Sequence, residues 1–396
     1  MRLRLASLSA ALLLLAYPIQ SPAEPAASQP AQMRAELDEA EAMKIIMRAL
    51  RTVRENYVDQ ISTRELAEAA VGAISSRDPW SRFLDPAQYE AMQDVNAGAG
   101  VGIGIRFRRE GDGFVIAEVF PDTPAYAAGL QPNDRLVSID GQPLEGMEPA
   151  AVGKLLRGDE GSAVTIAFGR NGAERLERTL ARETLTIPSV TWQAMDGVAY
   201  MRIAAFDGQT KPGFDAAIAA IQALPDARGL VLDLRSNRGG LVRAAVHVAD
   251  ALLDAGRIMT VQDRQKEEVV EAKAGDLVHG LPIVVLVNAS TASSSEILTA
   301  ALQENGRALV VGRKTYGKGV IQTTRRFPGG AIKLTTARYL TPRGRSIHQS
   351  GIAPDIVIGS DNAPPVQWGA RPDPAGDVQM AQAFDLLKLR RQVAEK

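Results

Sequence analysis

From residue 198 onward this 396-residue chain alternates short apolar runs with amphipathic stretches of helical length, and nothing else in it constrains the fold as strongly. The apolar runs at 198–203, 229–234, 283–287 and 309–311 read as strands. Helical patterns at 214–224, 241–253 and 295–305 separate them. Strictly alternating strands and helices predict βαβ units around a largely parallel sheet. Right-handed crossovers then return each strand to the same edge, and chemistry gathers at the carboxyl end of the strands.

Upstream the pattern differs. Residues 96–183 are glycine-rich with short strand-like runs at 115–120, 135–139 and 164–168, punctuated by Asp140-Gly141 and Asn171-Gly172. They predict a compact, mostly β module. Residues 33–95 read as a helical segment, with helices at 33–57 and 63–74 and a break at Asp78-Pro79-Trp80. Residues 359–396 combine a Pro-rich linker with a final amphipathic helix at 378–393.

The first residues form a separate unit. Arg2 and Arg4 precede an apolar run over 5–17, then Ser21-Pro22-Ala23 supplies small residues before Glu24, the order of a secretory signal over 1–23. A Pro/Ala/Ser linker follows at 24–32. An uncleaved anchor or a hydrophobic N-terminal helix would look similar. The chain has no cysteine, which excludes disulfides and lipid attachment through cysteine. The expected location is exported and periplasmic, either free or peripheral to or anchored at the inner membrane. A net charge of −1 without a basic run argues against nucleic-acid binding.

Three segments should meet at the sheet edge. Asp233-Leu234-Arg235-Ser236-Asn237-Arg238-Gly239-Gly240 follows the strand at 229–234. Its paired glycines let backbone N–H groups point into a cleft, where they can hold an oxyanion, although an ordinary strand-to-helix turn has the same composition. Asn288-Ala289-Ser290-Thr291-Ala292-Ser293-Ser294-Ser295-Glu296 puts hydroxyls at a helix N-terminus. Ser293 and Glu296 also have capping-box spacing, so a purely structural cap competes with a nucleophile here. Tyr316-Gly317-Lys318-Gly319-Val320-Ile321-Gln322 lies beyond the next strand, within reach of Ser293. An exposed lysine in a glycine turn is the ordinary alternative.

A Ser–Lys dyad needs a lysine neutral enough to accept the serine proton, and burial moves it that way. If the residues after Lys318 are extended, Gln322 lies on its side of the strand and can orient the amine. The chemistry would be acyl transfer through Ser293. Histidine wiring fits less well: the chain has only His247, His279 and His348, and no G-x-S-x-G elbow. His247 reads as a helix residue, while His279 and His348 remain alternative bases. No HExxH or Cys/His cluster points to a metal, and no cofactor is implied.

These segments together resemble the C-terminal processing (tail-specific) peptidases. That family carries V-N-x-G-S-A-S-A-S-E, T-F-G-K-G-x-x-Q and D-L-R-x-N-x-G-G, matched here by 287–296, 315–322 and 233–240. Residues 78–86 resemble its D-P-x-S-x-[YF]-L segment, and 341–347 and 351–356 match two more. The resemblance implies a multidomain α/β protein: an N-terminal helical segment, an inserted PDZ domain and a crotonase/ClpP-like catalytic core at 184–358. It places the nucleophile on Ser293, the base on Lys318 and its supporting amide on Gln322. The oxyanion amides fall on Ser294 and on Gly239 or Gly240. Thr291 stands where the family has serine, and Ser294 where it has alanine, which creates a second candidate nucleophile.

Residues 96–183 resemble a PDZ domain. Gly100-Val101-Gly102-Ile103-Gly104-Ile105 is similar to the loop that receives a terminal carboxylate, so Val101, Gly102, Ile103 and Gly104 are the expected peptide-binding residues. Ala128-Gly129-Leu130-Gln131-Pro132-Asn133-Asp134-Arg135-Leu136 resembles the turn and strand of such modules. A PDZ domain adds an extended chain end to a sheet edge. The implied partners are proteins or peptides with exposed C-termini, and an adaptor or activating partner. The terminal amphipathic helices suggest a homo-oligomer, although each could pack on its own protomer. A catalytically silent PDZ scaffold is the rival reading.

Overall fold

The structure is a computed structural model that describes residues 37–170, 175–273, 275–360 and 373–394. The expected signal at 1–23 and linker at 24–32 lie outside the described residues. The described residues fall into two compact units, divided after Ala69. The first carries helix Glu39–Asn56, opened by the Asp38 side chain accepting the Glu41 N–H at 2.8 Å. Its residues Ile46, Leu50 and Val53 are spaced along one helical face.

In the second unit the alternating pattern becomes a six-stranded sheet. Its order is Val190–Met195, Val198–Ile203, Gly229–Asp233, Ile283–Val287, Ala308–Gly312 and Ile356–Val357. The first pair is antiparallel and every later pair parallel. The strands Val198–Ile203, Gly229–Asp233 and Ile283–Val287 are buried at every residue. Helices Thr210–Gln222, Val242–Leu252 and Ser294–Glu304 contribute to the main apolar cluster with Phe214, Val248 and Leu298. Helix Val378–Ala394 brings Met380, Ala383, Phe384 and Leu387 against Tyr200, Val231, Val284 and Val311 in a separate cluster.

A second sheet has no counterpart in the sequence reading. Strand Gly330–Leu340 pairs antiparallel with Arg82–Leu84, Arg257–Gln262 and Val320–Phe327, and Arg257–Gln262 also pairs with Glu267–Glu271. Part of the segment expected to be N-terminal and helical is therefore built into this sheet. Helix Pro86–Ala97 follows, its start fixed by Asp85 and Gln88 in a reciprocal capping box.

The β-rich module is a sheet in the order Ile105–Glu110, Gly113–Val119, Arg135–Ile139, Ala163–Gly169 and Arg175–Ala181, with its own apolar cluster that includes Phe114, Ile116, Ile139, Val152 and Phe168. Strands Ala99–Gly102 and Glu183–Thr186 pair where the chain enters and leaves the module. Buried Glu118 accepts from Arg106 at 2.7 Å and lies 3.7 Å from Arg202 of the core sheet, so one carboxylate links the two sheets.

Candidate active site

Beyond the buried strand Ile283–Val287 the chain turns sharply into helix Ser294–Glu304. Polar side chains set that turn. The Asn288 carboxamide oxygen accepts the N–H groups of Ser236 at 2.9 Å and Ser290 at 3.1 Å. The Thr291 hydroxyl donates to the Leu234 carbonyl at 2.9 Å, so the threonine here does the work of a hydroxyl bridge between two loops. Ser293 then sits at φ 58°, ψ −119°, a region that non-glycine residues rarely occupy and that is held only where the surroundings dictate it.

The neighbouring serines divide into two kinds. Ser294 and Ser295 are fully buried, and their hydroxyls donate to the carbonyls of Gly240 and Asn237, each at 2.9 Å. Ser293 is half-buried. The second candidate nucleophile is thus committed to the structure of the glycine turn.

That turn lies directly against the serine. Gly239 has φ 89°, and a Cβ there would come within 2.8 Å of the Ala292 carbonyl, Ser293 Cβ and Ser294 N. Only glycine permits so close an approach in this conformation. The Gly239 N–H is taken by the Asn237 side chain at 2.9 Å. Among the described residues the N–H groups of Gly240 and Ser294 donate no hydrogen bond. Ser294 is the first helical residue, whose N–H has no intrahelical acceptor.

The lysine segment is tied to the serine segment by two residues that the sequence reading had not placed in the site. Glu296 is completely buried, and its carboxylate accepts from both sides. It takes the backbone N–H of Ser293 at 2.8 Å and of Lys318 at 2.9 Å on one oxygen. Its other oxygen takes Gly317 N–H at 2.7 Å and the Thr315 hydroxyl at 2.5 Å. Tyr339, also buried, points its hydroxyl at the carbonyls of Ser293 (3.1 Å) and Lys318 (3.0 Å). Burial pushes this phenol well above its usual pKa, which keeps it a donor. In the sequence Glu296 stands three residues after Ser293, which reads as a cap, and at the end of the serine motif, without a role there; Tyr339 carries no signal.

Burial, with a smaller push from Lys333, lowers the Lys318 pKa to about 8, against the opposing pull of Asp78 and Glu296. Its ammonium lies 5.9 Å from the centre of the Trp80 ring, which in turn meets His348 edge-on at 5.2 Å. Among the described residues no hydrogen bond joins Lys318 Nζ to Ser293 or to Gln322. The Gln322 amide donates to the Thr335 hydroxyl at 3.1 Å, its partner across the ladder, beside a register shift that leaves Thr336 of the facing strand unpaired.

Of the three histidines, His348 lies beside the lysine segment, its backbone against Gly319 and its ring against Trp80. His247 Nε2 lies 2.6 Å from the Asp215 carboxylate on the neighbouring helix, and His279 occupies a turn at φ 49°. His348 Nδ1 is buried and has no hydrogen-bond partner among the described residues. No group of three or more His, Cys, Asp or Glu among the described residues is arranged to hold a metal ion.

In the β-rich module, Gly102, Ile103, Gly104, Ile105 and Phe107 line a cavity of about 290 Å³ together with Gly153, Leu156 and Arg157 near the end of helix Pro149–Leu156. Val101 also borders it. Arg182 fixes the end of this helix, donating to the Leu155 and Leu156 carbonyls at 2.8 and 3.2 Å. Strand Ile105–Glu110 is an edge strand, paired on one side only among the described residues. Ile103 is buried, so of the expected peptide-binding residues it contributes a core side chain as well as loop backbone.

Residues 197–358 match peptidase family S41, and residues 115–170 match the PDZ domain. A carboxy-terminal-processing protease of Bartonella bacilliformis is 36% identical over 316 residues, covering 77% of this chain and 72% of that protein. The chain belongs to peptidase family S41. A carboxyl-terminal-processing protease of Picosynechococcus sp. is 32% identical over 382 residues, covering 89% of this chain and 90% of its own. Among solved structures, a photosystem II D1 C-terminal processing protease superposes with a TM-score of 0.54 at 30% identity, over 80% of this chain and 92% of that one. This S41 member is therefore a serine-type peptidase of the C-terminal processing group, with a mixed α/β core and a PDZ domain.

Proposed function

We propose that this S41 peptidase is an exported, periplasmic endopeptidase that captures unstructured protein C-termini in its PDZ groove and hydrolyses peptide bonds through an acyl-enzyme on Ser293. The observation that carries the reading is the double tie between the serine and lysine segments: Glu296 takes both backbone N–H groups and Tyr339 meets both carbonyls.

In the proposed reaction Ser293 Oγ attacks the scissile carbonyl while its proton passes to neutral Lys318 Nζ. The tetrahedral oxyanion is received by the N–H groups of Gly240 and Ser294, which have no other partner among the described residues. Lys318 returns the proton to the departing amine as the C–N bond breaks. A water, deprotonated by the same lysine, then attacks the ester and releases Ser293 and the new C-terminus. Among the described residues no hydrogen bond joins the two side chains of the dyad, and Gln322 donates to Thr335. This supports a gated enzyme, in which peptide binding or an adaptor shifts the population toward an engaged dyad.

The cavity beside the open strand edge suits strand addition of a peptide whose carboxylate meets the backbone of 102–105. Homo-oligomerisation through helix Glu39–Asn56 belongs to the same proposal, argued from its apolar stripe.

The test is cleavage of an unfolded protein ending in small apolar residues. Ser293→Ala and Lys318→Ala should abolish it, whereas Ser294→Ala should retain activity. Amidating the substrate's C-terminus should raise KM by about 10-fold with kcat kept, since about 1.4 kcal/mol of carboxylate recognition corresponds to that factor. Full activity in Ser293→Ala would refute the assignment. Absence of cleavage by the wild type, even with saturating C-terminal peptide, would favour a silent peptide-binding protein.

A further inference from the structure

We propose that Asp377, at the start of the C-terminal helix, is a positioning residue for the oxyanion turn; the proposal rests on the reading of Gly240 and Ser294 given above.

The turn at 236–240 is held from two sides. From the front, Asn288, Thr291 and Ser294 of the serine segment bond to it and to the Leu234 carbonyl just before it. From behind, it is held through Arg235, the residue that precedes the turn. Arg235 is 2% exposed, so its guanidinium charge relies on protein partners. One edge of the fork meets Asp233, with Nε at 3.0 Å and Nη2 at 2.6 Å from the carboxylate. Asp233 is itself fully buried and also accepts the Tyr200 hydroxyl at 2.8 Å. The remaining nitrogen, Nη1, reaches out of the sheet to Asp377 Oδ2 at 2.6 Å and to the Gln379 carboxamide oxygen at 3.1 Å.

Asp377 thus has two jobs on two oxygens. Oδ1 accepts the N–H groups of Gln379 and Met380, both at 3.1 Å, and so caps helix Val378–Ala394. Oδ2 supplies the second anion to Arg235. Gln379 adds a tether, donating to the Ile358 carbonyl at 2.9 Å. The helix is pressed onto the sheet by Met380, Phe384 and Leu387, so the carboxylate comes from a rigid support. A planar fork held at both ends fixes the direction of the backbone that leaves it. That backbone enters Ser236 at φ 60° and reaches Gly240 four residues later. Asp377 and Gln379 lie outside both family matches, which end at residues 358 and 170. A segment beyond the recognised catalytic region therefore sets the geometry of the oxyanion hole.

The two oxygens can be separated by substitution. Asp377→Asn keeps a good N-cap but loses the charge opposite Arg235. It should lower kcat roughly 10-fold, short of the 10²–10³ lost when an oxyanion donor is removed outright. KM should stay unchanged, and the affinity for a peptide boronate, which forms a tetrahedral adduct on serine, should weaken by a similar factor. Asp377→Glu should recover part of both. Unchanged kcat and boronate affinity in Asp377→Asn would overturn the proposal. If Asp377→Asn does not fold, Gln379→Met, which removes the neutral contact to Arg235 together with the tether to the Ile358 carbonyl, is judged by the same two readouts; loss of fold in both would reduce the helix to a structural strut and overturn the proposal. Ser293→Ala separates this from the underlying reading: if that variant cleaves normally, both fall, whereas an inactive Ser293→Ala beside unaltered Asp377→Asn removes this proposal alone.

Discussion

Glu296→Gln is expected to lower kcat by at least about 10²-fold and to destabilise the fold by about 2–6 kcal/mol, read by steady-state kinetics and denaturant unfolding. The reason is the count of donors. Ser293 N–H, Lys318 N–H, Gly317 N–H and the Thr315 hydroxyl all converge on one buried carboxylate. A glutamine keeps one acceptor oxygen and turns an NH₂ toward the donors of the other. Whichever way the amide faces, one side of the bracket is left with buried, unsatisfied N–H groups and moves away. If the NH₂ faces the Ser293 and Lys318 N–H groups, nucleophile and base are both displaced; if it faces Gly317 and Thr315, the lysine segment alone moves. Normal activity in a folded Glu296→Gln protein would show that the bracket does not set the dyad.

The second large effect concerns pH and the lysine. With its pKa lowered to about 8, Lys318 is mostly protonated at pH 7, so kcat/KM should rise with pH toward a plateau above about 8. Removing the neighbouring charge with Lys333→Gln should move that rise to higher pH, because Lys333 contributes to the lowering. Lys318→Met should abolish cleavage and yet raise the melting temperature at pH 7. The sign follows from proton linkage. An unfolded lysine keeps its proton up to about 10.5, whereas the folded one releases it near 8. Across that window the unfolded state binds more protons, so the wild type gains stability as pH rises and is penalised below about 8. The advantage of Lys318→Met should therefore shrink as the pH is raised through the window. An equal or lower melting temperature for Lys318→Met at pH 7 would show that the lysine is not held at a cost.

The parallel sheet was legible because its strands are buried on both faces. Runs such as Ile283–Val287 contain nothing but apolar residues, and no other structure suits five such residues between helical patterns. The second sheet was not legible for the opposite reason. Val320–Phe327 and Glu267–Glu271 carry arginines and glutamates with no clean alternation, since most of their residues are not buried. Asp85-Pro86 closes the 78–86 segment that resembles the family's, and the same two residues are the cap and first position of a helix that the sequence pattern did not announce. In the site, the serine, glycine and lysine segments could be brought to one edge by topology alone. Glu296 and Tyr339 could not, because a capping glutamate and a strand tyrosine look ordinary until their partners are known. Gln322 illustrates a different limit: its spacing from Lys318 says nothing of the Thr335 hydroxyl that the facing strand places opposite it.

The most direct test of the dyad is the pH dependence with which a fluorophosphonate modifies the protein, with the modified residue located by mass spectrometry. The account predicts a single phosphonylated residue, Ser293, at a rate that rises with an apparent pKa near that of Lys318, about 8, and that is lost in Lys318→Met. Modification at Ser294, or labelling of Ser293 at an undiminished rate in Lys318→Met, would contradict it.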